Sequence, residues 1–377
     1  MKIVCDNKIP FLRGAFEPYA EVVYLPGAET TPEVVRDADA VVTRTRTICN
    51  ESLLKGSKVR AIATATIGFD HIDTAWCEAN GIAWSNAPGC NSWSVKQYIS
   101  SVLAVLAQRH GLRLDALTLG VVGVGNVGSK VAEVGRAYGM RVLLNDPPRA
   151  RAEGPEAFTD LDTLVAESDI VTVHVPLTRS GEDATWHLFD AERLGCMRPS
   201  QILINSSRGP VVDNAALKYT LLGKGLKAAV LDVWEGEPDL DPELVDLLDI
   251  ATPHIAGYSA DGKANGTTMS VRWLAGRLGL PLTEWAAAGI PGPEQPLDFT
   301  LDASGRDPQE VLQEAVLYTY DVRRDSDALR ASLGSFERLR GDYPVRREPS
   351  AFTLGLRGGT RDLASRLEMT GFKVNII

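Results

Sequence analysis

The sequence predicts an α/β protein with two parallel-sheet domains, one inserted into the other, followed by a C-terminal α+β module. Three observations predict this fold class. Short apolar runs alternate with helical segments up to about Cys90, and a second alternation of the same kind starts at Leu117. A run rich in glycine and proline, Gly289–Pro296, then separates a charged tail from the rest of the 377 residues.

The first alternation predicts a small parallel sheet. Its candidate strands are Lys2–Cys5, Glu21–Leu25, Ala40–Thr43 and Arg60–Thr64. From Trp93 to His110 the apolar residues recur at helical spacing, which predicts a long helix that connects two domains. A second long helix, Asp261–Leu280, would return the chain to the first domain. We therefore expect one domain formed by residues 1–92 and 258–285, with residues 93–257 inserted into it.

The second alternation predicts a doubly wound sheet of six strands, which binds ligands at the carboxyl ends of its strands. Its candidate strands are Leu117–Val122, Arg141–Leu144, Ile170–Val175, Gln201–Asn205, Ala228–Leu231 and Ile250–Ala251. The tail, residues 286–377, is expected to form a separate α+β domain. Its predicted elements are helices at Pro308–Tyr318, Ser326–Gly334 and Thr360–Thr370 and a strand at Ala351–Leu356.

Composition excludes several function classes. The formal net charge is −10 and no basic stripe offsets it, so we expect no nucleic-acid partner. No apolar stretch approaches the roughly 20 residues of a membrane span, so no membrane association is expected. The five cysteines are scattered and form no CxxC pair, which is typical of reduced thiols in a cytoplasmic protein. No residue spacing predicts a metal site.

A glycine-rich turn follows the first strand of the second alternation. Gly123, Gly125 and Gly128 have the spacing that makes a tight turn, lets the backbone approach a pyrophosphate and packs a helix on the strand. Asn126 and Val127 lie in the same turn. Asp146 ends the next strand, where its carboxylate would bond the ribose hydroxyls and repel a 2′-phosphate. The motif predicts NAD as cofactor, although Arg149, three residues on, could weaken the preference over NADP.

Three polar side chains follow successive strands of the same predicted sheet: Arg208, Glu237 and His254. Because the carboxyl ends of parallel strands share one edge, we expect them to converge there. An imidazole can take the proton of an alcohol while a hydride leaves, and a glutamate on its other nitrogen would fix the tautomer. A guanidinium can bind a carboxylate next to the reacting carbon. Together they predict oxidation of a 2-hydroxyacid.

These motifs resemble the D-isomer-specific 2-hydroxyacid dehydrogenase family over about residues 1–280. The resemblance rests on the Gly123–Gly128 turn, Asn205–Asp213, Leu231–Pro238 and Thr252–Gly257. It implies a Rossmann-like cofactor domain inserted in a flavodoxin-like substrate domain. It also implies that Arg208 binds the substrate carboxylate, that Glu237 is the partner of His254, and that His254 is the acid/base. We expect further contacts with NAD from Ser206, Ser207, Asp232 and Gly257.

One branch of this family, which acts on a phosphorylated 2-hydroxyacid, is similar in further stretches: Met1–Pro10, Ala87–Asn91, Tyr258 after Gly257, and Asp342–Glu348. The resemblance implies that the tail is a dimerisation domain and that Thr45, Thr66 and Tyr258 contact the substrate. Arg44 and Arg46 form a local basic pair that would suit a phosphate, provided that the segment leaves regular strand geometry. The segment Thr43–Thr47 departs slightly from the pattern of the branch.

Two alternatives remain open at this point. A 3-phosphoglycerate dehydrogenase would share the fold, the three polar residues and a phosphorylated substrate, although its usual C-terminal domain does not resemble this tail. A dinucleotide-sensing corepressor of the same superfamily would also retain the three residues. The absence of an interaction-rich extension argues against the corepressor.

Overall fold

The computed structural model describes residues 1–377, and the chain divides into two compact units: residues 1–91 with 259–292, and residues 92–258 with 293–377. The first unit contains a five-stranded parallel sheet in the order β2-β1-β3-β4-β5, which is the flavodoxin-like order. Its strands are β1 (Lys2–Asp6), β2 (Glu21–Leu25), β3 (Ala40–Thr43), β4 (Ala61–Thr64) and β5 (Ala83–Ser85). Its helices are α1 (Pro32–Val35), α2 (Glu51–Leu54), α3 (Thr74–Ala79) and, numbered by its place in the chain, α11 (Ala260–Leu278).

Helix α11 covers one face of this sheet. Its buried residues Val271, Leu274 and Ala275 pack in one cluster with side chains of β1, β3 and β4. Gly266 allows the close approach, since a Cβ there would lie 2.7 Å from the carbonyl oxygen of Ala65. The return of the chain to the first sheet, expected from the spacing of residues 261–280, is therefore present in the fold.

The second unit contains a six-stranded parallel sheet in the order β11-β10-β9-β8-β6-β7. Its strands are β6 (Thr118–Val122), β7 (Arg141–Asn145), β8 (Ile170–Val173), β9 (Ile202–Asn205), β10 (Ala228–Leu231) and β11 (Ile250–Ala251). Its helices are α4 (Ser92–His110), α5 (Gly128–Ala137), α6 (Pro147–Glu153), α7 (Leu161–Glu167), α8 (Ala191–Cys196), α9 (Asn214–Leu222) and α10 (Pro242–Leu247). Strands β6, β8, β9 and β10 are buried at every position, as expected of a sheet covered on both faces.

The tail forms a three-stranded parallel sheet with four helices. Its elements are β12 (Asp298–Asp302), α12 (Pro308–Thr319), α13 (Val322–Ala331), α14 (Phe336–Gly341), β13 (Thr353–Arg357), α15 (Arg361–Met369) and β14 (Lys373–Ile376). Tail residues such as Val311, Val316 and Phe352 share one core cluster with Ile99 and Val131 of α4 and α5. The tail thus packs into the core of the second unit, and its separation as a third domain, residues 286–377, stays a prediction.

Six single turns of 3-10 helix complete the chain: Gly27–Glu29, Leu114–Ala116, Pro155–Ala157, Gly209–Val211, Leu333–Ser335 and Pro349–Ala351. The α/β fold class with two parallel sheets is confirmed. Sequence patterns missed β5, which has only three half-buried residues, and the tail strands β12 and β14, whose residues are mostly exposed. None of the helices combines the length and the apolar character needed to cross a lipid bilayer.

Candidate active site

Three polar side chains emerge beyond the carboxyl ends of neighbouring strands of the six-stranded sheet. Arg208 follows β9, Glu237 follows β10 and His254 follows β11, and these strands lie side by side in the order β11-β10-β9. The structure therefore places all three predicted residues at one edge of the sheet, which is where ligands of doubly wound sheets bind.

His254 and Glu237 form a hydrogen-bonded pair. Nδ1 of His254 lies 2.8 Å from Oε2 of Glu237, and Oε1 of the same carboxylate accepts a hydrogen bond of 2.9 Å from the backbone N–H of Trp234. Burial by itself raises the pKa of Glu237, but the hydrogen bond and charge of His254 bring that pKa below its ordinary value. The carboxylate is thus held ionised, with one oxygen for the ring and one for the backbone.

Arg208 lies in a turn that is held by Asn205, the last residue of β9. The side-chain oxygen of Asn205 accepts hydrogen bonds from the N–H (3.0 Å) and the hydroxyl (2.7 Å) of Ser207. Its amide group donates to the carbonyl of Arg208 at 3.0 Å. The guanidinium of Arg208 donates through Nη1 to the carbonyl of Ser207 at 2.8 Å. The asparagine therefore fixes the backbone from which Arg208 projects.

Asp232 binds the backbone directly after His254, a role that the sequence did not predict. It is buried, and its two carboxylate oxygens accept the backbone N–H groups of Ile255 (2.8 Å) and Ala256 (2.9 Å). It also accepts the hydroxyl of Thr252 at 2.6 Å, and that hydroxyl lies 2.9 Å from the hydroxyl of Tyr98. Asp232 holds the segment next to His254, and its expected contact with NAD stays a prediction. No sequence signal pointed to Tyr98, which is fully buried in α4.

The glycine-rich turn has the geometry that its spacing predicts. Gly123 adopts a φ of +86°, and a Cβ there would lie 2.6 Å from the carbonyl oxygen of His174. A Cβ on Gly128 would lie 1.8 Å from the carbonyl oxygen of Gly123, so the start of α5 can pack on the turn only without a side chain. Around Gly125 nothing lies within 4 Å of a Cβ position, which leaves open space for close approach of a ligand.

The residues around this turn fit a dinucleotide. Helix α5 begins after Val127, whose side chain cannot accept a hydrogen bond from the first N–H groups of the helix. Each of α6 to α10, in contrast, is preceded by an aspartate whose carboxylate accepts such a hydrogen bond. The N–H groups at the start of α5 are thus left to a phosphate. The hydroxyl oxygen of Ser206 is buried without a hydrogen-bond partner. Both features suit the pyrophosphate and polar groups of NAD.

Asp146 directly follows β7, and its carboxylate is held by backbone N–H groups. Its carboxylate accepts the N–H of Val124 at 2.9 Å and the N–H of Arg149 at 3.1 Å. The side chain of Arg149 turns back to donate to the carbonyl of Val124 at 2.6 Å, and Glu153 binds its guanidinium through two hydrogen bonds of 2.6 Å. The arginine that could have weakened the preference for NAD therefore has its charge paired with a carboxylate.

Gly257 and Tyr258, two further predicted site residues, come three and four residues after His254. Gly257 sits in a turn closed by a hydrogen bond of 2.9 Å from the N–H of Tyr258 to the carbonyl of Ile255. The ring of Tyr258 meets the ring of Tyr343 edge-on at 5.8 Å, and the guanidinium carbon of Arg340 lies 5.6 Å from its centre. The sequence did not place Arg340, a tail residue, near this site.

In the first unit, the predicted substrate residues follow two paired strands. Thr45 lies beyond β3 and Thr66 beyond β4, and the two strands pair with Thr43 opposite Thr64. The chain leaves strand geometry at Arg44 and turns at Thr45 and Arg46. The three residues are therefore not held on alternate faces of a regular strand, as a phosphate shared by them would require. Arg44 donates to the carbonyl of Lys8 at 3.0 Å, and the hydroxyl of Thr66 bonds the carbonyl of Gly68 at 2.8 Å.

Comparison with known proteins identifies the family. The family model described as "D-isomer specific 2-hydroxyacid dehydrogenase, NAD binding domain" matches residues 94–256. Erythronate-4-phosphate dehydrogenase of Bacteroides fragilis is 50% identical over 355 residues, which cover 94% of this chain and 99% of the relative. The chain belongs to the erythronate-4-phosphate dehydrogenase branch of the D-isomer-specific 2-hydroxyacid dehydrogenase family. Its cofactor is NAD, bound by the domain that the family model describes.

The similarity extends through the tail. Erythronate-4-phosphate dehydrogenase of Proteus mirabilis is 44% identical over 376 residues, which cover 99% of each chain, and a model for a domain of unknown function matches residues 295–369. Among solved structures, D-lactate dehydrogenase from Aquifex aeolicus, complexed with NAD and lactic acid, is 27% identical with a TM-score of 0.62. The match covers 78% of this chain and 100% of the D-lactate dehydrogenase chain. The expected resemblance to the family and to this branch is therefore confirmed.

Proposed function

We propose that the protein oxidises 4-phospho-D-erythronate at C2 to 2-oxo-3-hydroxy-4-phosphobutanoate with NAD, a step in the biosynthesis of pyridoxal phosphate (vitamin B6). The observation that carries the proposal is that relatives of that name match the chain over nearly its whole length, tail included. The bonded pair of His254 and Glu237 at the strand ends of an NAD-binding domain supports the reaction type.

The residues divide the work of the reaction. The glycine-rich turn and the start of α5 would hold NAD, which would supply the acceptor for the hydride from C2. Nε2 of His254 takes the proton of the C2 hydroxyl, because Nδ1 is occupied by the carboxylate of Glu237. Glu237 keeps the ring in this tautomer and stabilises the imidazolium that results. The guanidinium of Arg208 binds the substrate carboxylate and orients C2.

Substrate recognition is proposed from the family resemblance. Thr45, Thr66 and Tyr258 are the expected contacts, and Arg44 and Arg46 are expected to favour the phosphate. The turn at Thr45 and Arg46, which lies outside the regular strand, supports a role for this segment in binding an anion.

The test is NADH formation with NAD and either 4-phospho-D-erythronate or D-3-phosphoglycerate under the same conditions. We expect a strong preference in kcat/KM for the four-carbon acid. A preference for D-3-phosphoglycerate would support the proposed reaction type and contradict the proposed substrate. Binding of NAD with turnover of neither acid would favour the corepressor-like alternative.

We further propose that the protein is a cytoplasmic homodimer assembled through its tail. All five cysteines are free thiols, which suits a reducing compartment. The tail exposes several large apolar side chains, namely Leu297, Val345, Ile376 and Ile377. Light scattering should give a mass of about twice the 40.7 kDa of one chain. A monomeric mass at micromolar concentration would contradict the dimer.

A further inference from the structure

The backbone at His254 adopts a conformation that needs support. Its φ is +57°, in the left-handed region that residues other than glycine occupy at an energetic cost. The ring nevertheless meets Glu237 at hydrogen-bond distance. Contacts to the residues directly after His254 can therefore stabilise the backbone that carries the ring.

The peptide groups of Ile255 and Ala256 are bound from two directions. Their N–H groups donate to the carboxylate of Asp232. Their carbonyl oxygens accept Nη2 of Arg346, at 3.2 Å from Ile255 and 2.6 Å from Ala256. Both donors and both acceptors of this two-residue segment are thus engaged by oppositely charged side chains.

Arg346 comes from the tail and is itself fixed. It is only 5% exposed, and its guanidinium carbon lies 4.4 Å from the centre of the Tyr320 ring. Nη1 donates to the hydroxyl of Tyr343 at 3.3 Å. The hydroxyls of Tyr320 and Tyr343 both donate to the carboxylate of Asp325 at 2.7 Å. The arginine therefore presents Nη2 from a rigid, buried cluster.

We propose that Arg346 is a positioning residue for His254. By binding the carbonyl groups of Ile255 and Ala256 opposite Asp232, it holds the left-handed backbone that keeps the imidazole on Glu237. The tail is then part of the catalytic machinery, whatever its role in assembly. The inference rests on the proposed acid/base role of His254 and goes beyond it.

A matched control exists in the same tail. Arg330 in α13 donates through Nη1 to the carbonyl of Val245 at 2.7 Å and through Nη2 to the carbonyl of Leu248 at 2.6 Å. It makes the same kind of contact to the cofactor domain as Arg346, but at the end of α10 instead of beside His254. Substituting it tests the effect of loosening the tail alone.

The experiment compares Arg346→Met and Arg346→Lys with Arg330→Met and Arg330→Lys in the full-length protein. For each we would measure kcat, KM for 4-phospho-D-erythronate and for NAD, and the thermal midpoint. We expect Arg346→Met to lower kcat about 10- to 100-fold, because a misplaced catalytic group costs about that much. KM for NAD should change less than kcat does, since the glycine-rich turn is untouched and, of the expected NAD contacts, only Asp232 and Gly257 adjoin the segment that Arg346 binds. Arg346→Lys should recover part of kcat, because an ammonium can still donate to one carbonyl.

The Arg330 variants should lower the thermal midpoint while kcat stays within about twofold of wild type. Equal losses of kcat at both positions would overturn the inference, since a general loosening of the tail would then explain them. Wild-type kcat in folded Arg346→Met would overturn it as well. If that variant does not fold, Arg346→Lys with unchanged kcat decides against it equally. His254→Asn separates the two proposals: an active His254→Asn overturns the proposed function, whereas an inactive one beside an active Arg346→Met overturns only this inference.

Discussion

Replacing Glu237 by glutamine tests the pairing on which the proposed mechanism depends. The substitution keeps the shape of the side chain and removes its charge. In the wild type, the backbone N–H of Trp234 donates to Oε1 of Glu237 at 2.9 Å, and the side-chain oxygen of glutamine would still accept this hydrogen bond. Its amide nitrogen would then face Nδ1 of His254 in place of the carboxylate oxygen at 2.8 Å. Two donors cannot share that contact, so the ring proton should move to Nε2, the atom that has to accept the substrate proton.

The expected loss follows from the contact that disappears. A hydrogen bond to a charged group contributes about 1.5–3 kcal/mol. Each 1.36 kcal/mol corresponds to about a tenfold change in rate, so kcat should fall about 10- to 150-fold. The wrong tautomer pushes the loss toward the upper end of that range. KM for NAD should hardly change, because Glu237 is not among the residues of the glycine-rich turn.

The assay is the initial rate of NADH formation at saturating 4-phospho-D-erythronate and NAD. Glu235→Gln provides the control, because Glu235 lies two residues earlier and binds another imidazole, Nε2 of His187, at 2.8 Å. That pair has no role in the proposed chemistry, so kcat of Glu235→Gln should stay within about twofold of wild type. The reasoning is refuted if Glu237→Gln keeps more than half of the wild-type kcat, or if both variants lose activity alike.

Three further predictions concern specificity and stability. Glu153→Gln removes the carboxylate that binds Arg149 and leaves the charge of that guanidinium free to attract a 2′-phosphate. The ratio of kcat/KM with NADP to kcat/KM with NAD, measured in parallel assays, should therefore rise about tenfold, and an unchanged ratio would contradict this prediction. Thr252→Val leaves the Tyr98 hydroxyl without its partner and removes a hydrogen bond to the buried carboxylate of Asp232, which should lower the free energy of unfolding by at least about 1–3 kcal/mol and lower the urea midpoint at unchanged slope. The pKa of Glu237 lies below the unfolded value of about 4.3, so its charge stabilises the fold above that pH and this stabilisation is lost as the pH falls through the folded pKa. The thermal midpoint should therefore fall less between about pH 5 and about pH 3 in Glu237→Gln than in wild type.

The parts of the site that the sequence could predict are those set by the alternation of strands and helices. Arg208, Glu237 and His254 each follow an apolar run, and parallel strands bring such positions to one edge whatever the details of packing. The roles of Gly123 and Gly128 were predictable for a similar reason, because the turn leaves no room for a Cβ at either position. Local pattern and topology carry enough information for both.

The contacts that hold the loop after β11 depend on packing between segments far apart in the chain. Arg346 lies 90 residues from the carbonyl of Ala256 to which it donates. In the sequence, an arginine next to another arginine in a charged tail is typical of a solvated surface, because burying a guanidinium is costly unless acceptors and an aromatic face compensate it. Those compensating groups, Tyr320 and two backbone carbonyls, come together only when the tail packs against residues 92–258 within the second unit. A pattern within the tail predicts that it folds, and only the tertiary structure shows that it reaches the segment beside His254.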